Sequence, residues 1–377
     1  MPISSARPRR EPPGQAASAR TPLKVMIVDD SITARTVHSR IVSADDEMAV
    51  AAIAGTAEQA IFLLGSIKVD VILLDLEMPG IGGLDALPRI IEAAKGARIM
   101  VVSALTVDGA EQTLAALSLG AADTLPKPVA GRFDQGYRDT LLAKVRALGR
   151  ASLRIAPASA PAVRSPRLRA GSGRKAAILG IGASTGGIHS LGQLFGALPR
   201  APTVPILVTQ HLPGSFMPVF ARQLNVVSGC EALVAEDDME VLPSRILIAP
   251  GDGHLTVRRH GARVLARIDR KPAASGCTPS VDPMFASLAE AFGADTLGVV
   301  LSGMGRDGAV GAGRIVEAGG AIFAQDEASC AVWGMPRAVA EAGLASAILP
   351  PDQIGSRIAA SLQGPGSATS GRSAAWT

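Results

Sequence analysis

A chain of 377 residues, 47% hydrophobic with 41 glycines and only 3% aromatic residues, is long enough for two α/β domains and too apolar to be disordered throughout. The formal net charge of +4 sits in arginine-containing Pro/Ala/Ser-rich stretches at 1–21 and 150–175, which leaves the rest mildly acidic and argues against a nucleic-acid-reading face. No stretch approaches the roughly 18 consecutive apolar residues of a membrane span, the polar N-terminus has no secretory apolar core, and Cys230, Cys277 and Cys330 form no Cys-x-x-Cys pair, so neither a disulfide framework nor a zinc site is suggested and a reducing cytoplasm is expected.

Residues 1–21 read as a flexible tail. The stretch 22–149 then alternates strand and helix: Leu23–Val28, Met48–Ala54, Val69–Leu74, Ala97–Val102 and Thr124–Leu125 are strand candidates, with helical patterns between them at Ala57–Leu64 and Gly109–Leu119. Such alternation implies a parallel sheet covered on both faces. Residues 150–174, with Pro157, Pro161 and Pro166 among Ala, Ser and Arg, read as a flexible linker. The stretch 175–362 alternates again, through the apolar runs Ala177–Ile181, Ile206–Thr209, Leu297–Leu301 and Ala321–Ala324. Arg245–Ala249, His254–Arg258 and Arg263–Ile268 look like a hairpin-containing insertion turning near His260-Gly261, and the Gly/Ser-rich 363–377 reads as a second tail.

In parallel sheets ligands sit at the carboxyl ends of strands. Asp29 and Asp30 close the first strand and Asp75 the third, so three carboxylates converge on one edge and repel one another unless a hard cation joins them; Mg²⁺ takes such oxygen ligands and keeps waters for the rest. Ser103 closes the fourth strand and Lys127 follows the fifth. A hydroxyl and an ammonium beside a metal-bound carboxylate suit a phosphoryl group, with Asp75 as its acceptor. Singly, each of these residues is equally readable as a helix cap or a solvated loop residue; five at successive strand ends are harder to read that way.

Val-Asp-Asp-Ser at 28–31, Leu-Asp-Leu-Glu-Met-Pro at 74–79, Ser-Ala-Leu-Thr at 103–106 and Lys-Pro at 127–128 resemble a two-component receiver domain over residues 22 to about 145. The resemblance implies a flavodoxin-like fold and phosphorylation of Asp75 by a sensor histidine kinase with Mg²⁺. It also implies Asp29, Asp30, Asp75 and the Glu77 carbonyl on the metal, and Ser103 and Lys127 on the phosphoryl group. Two positions depart from the pattern. Gly82 stands where receivers usually carry an acid, and Thr124 where many carry a switch aromatic, which puts coupling through aromatic rotation in question.

In the second stretch, Gly-Ile-Gly-Ala-Ser-Thr-Gly-Gly at 180–187 follows a strand and opens a helix. A dinucleotide loop would want an acid about 20 residues on, and none lies between 140 and 230. The other reading makes Ser184 a nucleophile on a strand-to-helix turn, which needs a base, an orienting acid and oxyanion donors. His211, at the end of a strand, and His254, in Pro-Gly-Asp-Gly-His, compete as the base; His38 reads as a helix-surface residue and His189 lies on the helix after Ser184. Asp307, Asp282 and Asp326 compete as the acid, with Asp307 first.

Gly-Ala-Ser-Thr-Gly-Gly at 182–187, Gln-His-Leu-Pro at 210–213, Ala-Pro-Gly-Asp-Gly-His at 249–254, Pro-Ser-Val-Asp at 279–282, Ser-Gly-Met-Gly-Arg-Asp-Gly at 302–308 and Ala-Gln-Asp-Glu-Ala-Ser at 324–329 resemble the chemotaxis protein-glutamate methylesterases, over residues 176 to about 360. The resemblance implies a doubly wound parallel α/β methylesterase domain with an antiparallel hairpin. Ser184 is then the nucleophile, His211 the base and Asp307 the orienting acid, with the Thr185 and Met304 backbone N–H groups as oxyanion donors. His254, Asp282 and Asp326 become rim or supporting residues. The activity implied is demethylation of glutamate methyl esters, and deamidation of glutamines, on chemotaxis receptors. It needs no cofactor for the ester chemistry and is released from cover by receiver phosphorylation. A cytoplasmic monomer without membrane insertion or nucleic-acid partner is expected. The rival is a phospho-regulated binding module with a non-catalytic second domain; an intact Ser184, His211 and Asp307 speaks against it.

Overall fold

The protein, seen in a computed structural model, is described here over residues 21–104, 106–128, 133–154, 168–169 and 174–363. Ten elements make the first domain: β1 (Leu23–Val28), α1 (Ile32–Ser43), β2 (Met48–Ala54), α2 (Ala57–Leu64), β3 (Val71–Asp75), α3 (Gly83–Ala94), β4 (Arg98–Ser103), α4 (Val107–Leu119), β5 (Asp123–Pro126) and α5 (Gln135–Arg154). All the strands are parallel, in the order β2-β1-β3-β4-β5. Every residue of β3 is buried, which is why the central strands read as unbroken apolar runs rather than as alternation. Ser31, Thr56 and Thr106 each turn a side-chain oxygen onto a backbone N–H three residues on and so start α1, α2 and α4 at the carboxyl ends of the preceding strands. The chain order reverses beside β1 and β3, so the open crevice of the doubly wound sheet lies at the ends of these two strands.

The second domain comprises β6 (Ile178–Ala183), α6 (Gly187–Gly196), β7 (Ile206–Gln210), α7 (Met217–Ser228), β8 (Glu231–Val234), β9 (Arg245–Ile248), β10 (His254–His260), β11 (Arg263–Asp269), α8 (Val281–Phe292), β12 (Thr296–Val300), α9 (Ala309–Glu317), β13 (Ala321–Gln325), α10 (Met335–Glu341), β14 (Ala347–Leu349) and α11 (Pro351–Gln363). Seven parallel strands run β14-β13-β12-β6-β7-β9-β8, and β10 pairs antiparallel with β11 beside them. The switch point of this larger sheet falls between β6 and β12.

The predicted strands stand within two residues of the observed ones, with one correction. Arg245–Ile248, expected in the hairpin insertion, is β9 of the main sheet, paired in parallel with β7 and β8. Only β10 and β11 form the hairpin, which turns at Gly261. Helix α5 continues to Arg154, and the Arg169 N–H bonds the Ala345 carbonyl. Apart from Leu168 and Arg174, the remainder of the expected linker lies outside the described residues, as do the tails apart from Thr21 and Gln363. No helix among the described residues is long and apolar enough to cross a membrane.

The two domains pack together. One apolar cluster runs from Met26, Ile72 and Leu114 of the first to Leu179, Phe216 and Phe220 of the second.

Candidate active site and receiver pocket

In the first domain the carboxylates of Asp29, Asp30 and Asp75 all lie within 4.8 Å of one another, at the ends of β1 and β3. Asp29 and Asp75 are buried and Asp30 is exposed. Burial pushes Asp29 upward and carries Asp75 to about 6, although Lys127 Nζ sits 2.6 Å from Asp75 Oδ2 and favours the carboxylate. The Glu77 N–H bonds Asp75 Oδ1 at 3.2 Å. Buried Ser103 accepts from the Thr113 hydroxyl at 2.6 Å. Crowded, desolvated oxygen donors of one sign fit a small hard dication, because only a cation lets all three ionise together. Gly83, at the start of α3, packs against the backbone that follows β3: a Cβ there would stand 2.1 Å from the Asp75 carbonyl.

His38 departs from expectation. It is buried, not on the helix surface: its Nε2 pairs with the Tyr137 hydroxyl at 2.8 Å, the edge of its ring meets Phe133, and burial lowers it to about 4.

In the second domain three strand ends converge around the switch point. Ser184 follows β6, His211 follows β7, and Asp307 lies in the loop after β12. His211 Nε2 is 2.8 Å from Asp307 Oδ2. An ionised carboxylate only accepts, so Nε2 carries the proton and Nδ1 is left as the basic nitrogen. Asp307 is held firmly. Its Oδ2 also accepts from the Val281 N–H at 2.7 Å, and its Oδ1 from the Ser280 hydroxyl at 2.7 Å, the Gly308 N–H at 3.0 Å and the Asp282 N–H at 3.3 Å. The N-terminus of α8 therefore points at this carboxylate. Burial works to raise Asp307, but the hydrogen bonds from His211, Val281 and Ser280 outweigh it and hold the group at about 2. Burial and the neighbouring Asp307 carry Asp282 the other way, to about 6, while its side chain caps α9 through the Gly311 N–H at 2.7 Å.

His254 does not join the pair. It is buried, accepts from the Ser280 N–H at 2.9 Å through Nδ1, and bonds the Lys271 carbonyl through Nε2 at 2.8 Å, so it braces the loop that presents Ser280 to Asp307. Asp326 bonds Ser329, away from the pair.

The turn carrying Ser184 explains its glycines. Gly186 has φ +79°, and a Cβ there would meet Ala331 at 2.5 Å; one on Gly187 would meet Gln210 Oε1 at 2.4 Å, and one on Gly182 the Val281 side chain at 2.4 Å. Gln210, which precedes His211, donates to the Ser184 carbonyl at 2.9 Å. The Ser302 hydroxyl donates to the Thr185 carbonyl at 2.7 Å. The Ser184 hydroxyl makes no hydrogen bond among the described residues, and no acceptor there takes the Thr185 or Met304 backbone N–H. Gly303 packs directly against Ser184: a Cβ on it would lie 2.8 Å from Ser184 Cβ and 2.3 Å from Met335 Sδ.

Two groups the sequence reading did not single out, Gln210 and Ser280, complete the site, and a third, Cys277, lies beside it without a part in holding the pair. Gln210 and Ser280 sit inside motifs already singled out, which is the signal that pointed to them. Cys277, half-buried, brings its thiol within 4.8 Å of His211 and Asp307; burial pushes that thiol up.

The receiver meets this turn. The Gly186 N–H donates to the Ala122 carbonyl at 2.6 Å, and the Thr185 hydroxyl to Asp123 Oδ2 at 2.6 Å. Asp123 is paired with Lys144 at 2.8 Å and accepts from the Thr124 N–H at 2.8 Å. Further contacts join His189 Nδ1 to the Ser118 carbonyl at 2.9 Å, Arg222 to Glu111 at 2.6 Å, and Arg98 to the Cys330 carbonyl at 2.9 Å. Thr124, at the expected switch-aromatic position, is buried with its hydroxyl unpartnered.

Residues 25–133 match the response regulator receiver domain model, and 179–358 the CheB methylesterase model. The chain is 39% identical to protein-glutamate methylesterase/protein-glutamine glutaminase 1 of Paramagnetospirillum magneticum, over 88% of this chain and 94% of that one. It is 43% identical to protein-glutamate methylesterase/protein-glutamine glutaminase 2 of Caulobacter vibrioides, over 89% and 98%. Against the protein of the same name from Azospirillum brasilense the identity is 39%, over 92% and 96%. With two models covering successive domains and relatives aligned over nearly their full lengths, this chain belongs to the CheB methylesterase family and carries a receiver domain ahead of the methylesterase domain.

Proposed function

We propose that this chain is a phosphorylation-activated serine esterase that hydrolyses glutamate methyl esters, and deamidates glutamines, on chemotaxis receptors. The observation that carries the reading is the placement of Ser184, His211 and Asp307 at the ends of three neighbouring strands, with His211 Nε2 fixed 2.8 Å from a carboxylate that accepts from five donors. His211 Nδ1 takes the proton of Ser184 as Oγ attacks the ester carbonyl, and Asp307 stabilises the imidazolium that forms. The free N–H groups of Thr185 and Met304 receive the oxyanion. His211 returns the proton to the methoxy oxygen and methanol leaves. Water, deprotonated by His211, then cleaves the glutamyl-serine ester and restores Ser184 and a free carboxylate. With glutamine the leaving group is ammonia and every other step is the same.

Regulation enters through the receiver. Asp29, Asp30, Asp75 and the Glu77 carbonyl would hold Mg²⁺, which would supply charge neutralisation for the oxygens of a transferred phosphoryl group. Asp75 accepts that group from a sensor histidine kinase, and Lys127 and Ser103 contact it. The unphosphorylated receiver lies against the nucleophile turn through Ala122 and Asp123, and phosphorylation of Asp75 loosens this contact. The protein works in the cytoplasm as a monomer, on the cytoplasmic helices of its receptors.

The test is methanol release from radiolabelled, methylated receptor membranes. The wild-type rate rises several-fold with Mg²⁺ and a small-molecule phosphodonor, and Ser184→Ala abolishes release in either condition. Release that persists in Ser184→Ala overturns the mechanism; release that ignores the phosphodonor overturns the regulation alone.

A further inference from the structure

The spacing of the three cysteines gives no metal motif, yet the fold brings one of them to the catalytic pair. A ring nitrogen of His211, Cys277 Sγ and a carboxylate oxygen of Asp307 all lie within 4.8 Å of one another. These come from three separate segments: the end of β7, the loop before α8 and the loop after β12. We propose that this trio is an inhibitory Zn²⁺ site, distinct in ion preference from the receiver pocket.

The donor set decides the ion. One thiolate, one imidazole and one carboxylate with water as fourth ligand is a tetrahedral zinc set, whereas Mg²⁺ demands oxygen donors in an octahedron. Zinc-to-ligand bonds of about 2.0–2.3 Å place tetrahedral donors about 3.3–3.7 Å apart; Nε2 and Oδ2, 2.8 Å apart, open slightly to admit the ion, and the thiol, within 4.8 Å of both groups, closes on them. Cys277 is the group free to do so: its thiol has a single weak polar contact, to the Ser275 carbonyl at 3.9 Å. Its loop is tied to the pair, because Ser275 bonds Ser280 at 3.0 Å and Ser280 bonds Asp307 at 2.7 Å. The His211 side chain is 16% exposed, which leaves an approach for the ion.

The balance is simple. Zn²⁺ binds, the Cys277 S–H bond breaks, and one proton leaves to solvent. The imidazole stays neutral, the proton on Nε2 moving to Nδ1 as Nε2 ligates the ion, and Asp307 is already a carboxylate. No oxidant or reductant is involved. With zinc in place the imidazole no longer takes the serine proton and Asp307 no longer orients it, so ester hydrolysis stops until a chelator removes the ion.

Two measurements on the unphosphorylated full chain test this. Methanol release from methylated receptor membranes is followed against buffered free Zn²⁺, and Co²⁺ is titrated into the protein as a spectroscopic substitute. The expected result is inhibition that EDTA reverses and excess Mg²⁺ does not reproduce. In Cys277→Ser the zinc concentration for half-inhibition rises about ten-fold or more, while the metal-free rate is unchanged. Cobalt gives a near-ultraviolet thiolate-to-metal absorption in the wild type that Cys277→Ser lacks. Equal zinc sensitivity in the two proteins, or a cobalt band that is absent from the wild type or persists in the variant, overturns the proposal. The cobalt band reads the site without reference to ester hydrolysis, so failure of the esterase reading and failure of the zinc site are told apart.

Discussion

The two pockets sit at equivalent places, the carboxyl ends of parallel strands at a switch point, yet their electrostatics are opposite. In the receiver, three carboxylates crowd together with one ammonium, and burial leaves Asp75 raised to about 6. In the methylesterase domain, Asp307 is as buried as Asp75 but stands at about 2, because five donors converge on it and α8 points its N-terminus there. Hydrogen-bond donors, not depth, decide the difference. The first pocket gathers like charges that the proposed Mg²⁺ would neutralise. The second is satisfied from within and is poised for a substrate.

The strongest way to break this comparison is to remove the charge of Asp307. Asp307→Asn keeps the shape but presents an amide to Nε2 and favours the wrong imidazole tautomer. Ester hydrolysis falls about 10²–10⁴-fold with little change in KM, read by methanol release at several receptor concentrations. Packing comes next. Gly303→Ala forces a Cβ against Met335 and Ser184; we expect a loss of about 1–3 kcal/mol in thermal unfolding, and activity about ten- to a hundred-fold down through displaced Ser184. An unchanged rate there means the serine tolerates movement.

The contact between the two regions is sharpened by Asp123→Ala, which deletes the hydrogen bond to Thr185 and the ion pair with Lys144. An intramolecular hydrogen bond contributes about 0.5–1.5 kcal/mol net of the water that replaces it, so the phosphodonor-free rate rises about two- to ten-fold while the fully phosphorylated rate stays put. A fall in both rates assigns Asp123 to folding rather than restraint.

The smallest effect lies in the receiver core. His38 is lowered from 6.5 to about 4, so its neutral form belongs to the folded state. That contribution is complete above about pH 6.5 and is lost as pH falls toward about 4, up to about 3 kcal/mol in all. His38→Gln flattens the pH dependence of unfolding across that window. Identical profiles for the two proteins show that the ring does not titrate there.

Much of this was legible from the residues alone. Continuous apolar runs mark the buried parallel strands, and the acids, serine and histidine at their ends mark the pockets. Arg245–Ile248 was misplaced because a short apolar run bounded by loops reads alike in a hairpin and in a parallel strand; only pairing with β7 and β8 distinguishes them. Edge strand β8 carries too few residues, one of them exposed, to stand out. His38 sits in a polar helical pattern, and nothing local shows that α5 lays Tyr137 against it. The choice between His211 and His254 turned on a carboxylate 96 residues away, and Cys277 and Asp123 also meet partners far from them in the chain.

The bond from the Gly186 N–H to the Ala122 carbonyl has an evolutionary consequence. It joins main chain to main chain, so side-chain replacement at Ala122 leaves both atoms in place, while Gly186 is held to glycine by its φ of +79° and by Ala331 and Ser302 beside it. Mutational drift can rewrite the surrounding side chains while this point of docking persists. Receiver domains exchanged between family members are therefore expected to seat on the nucleophile turn wherever the end of β5 keeps its course, even when the side-chain partners no longer match.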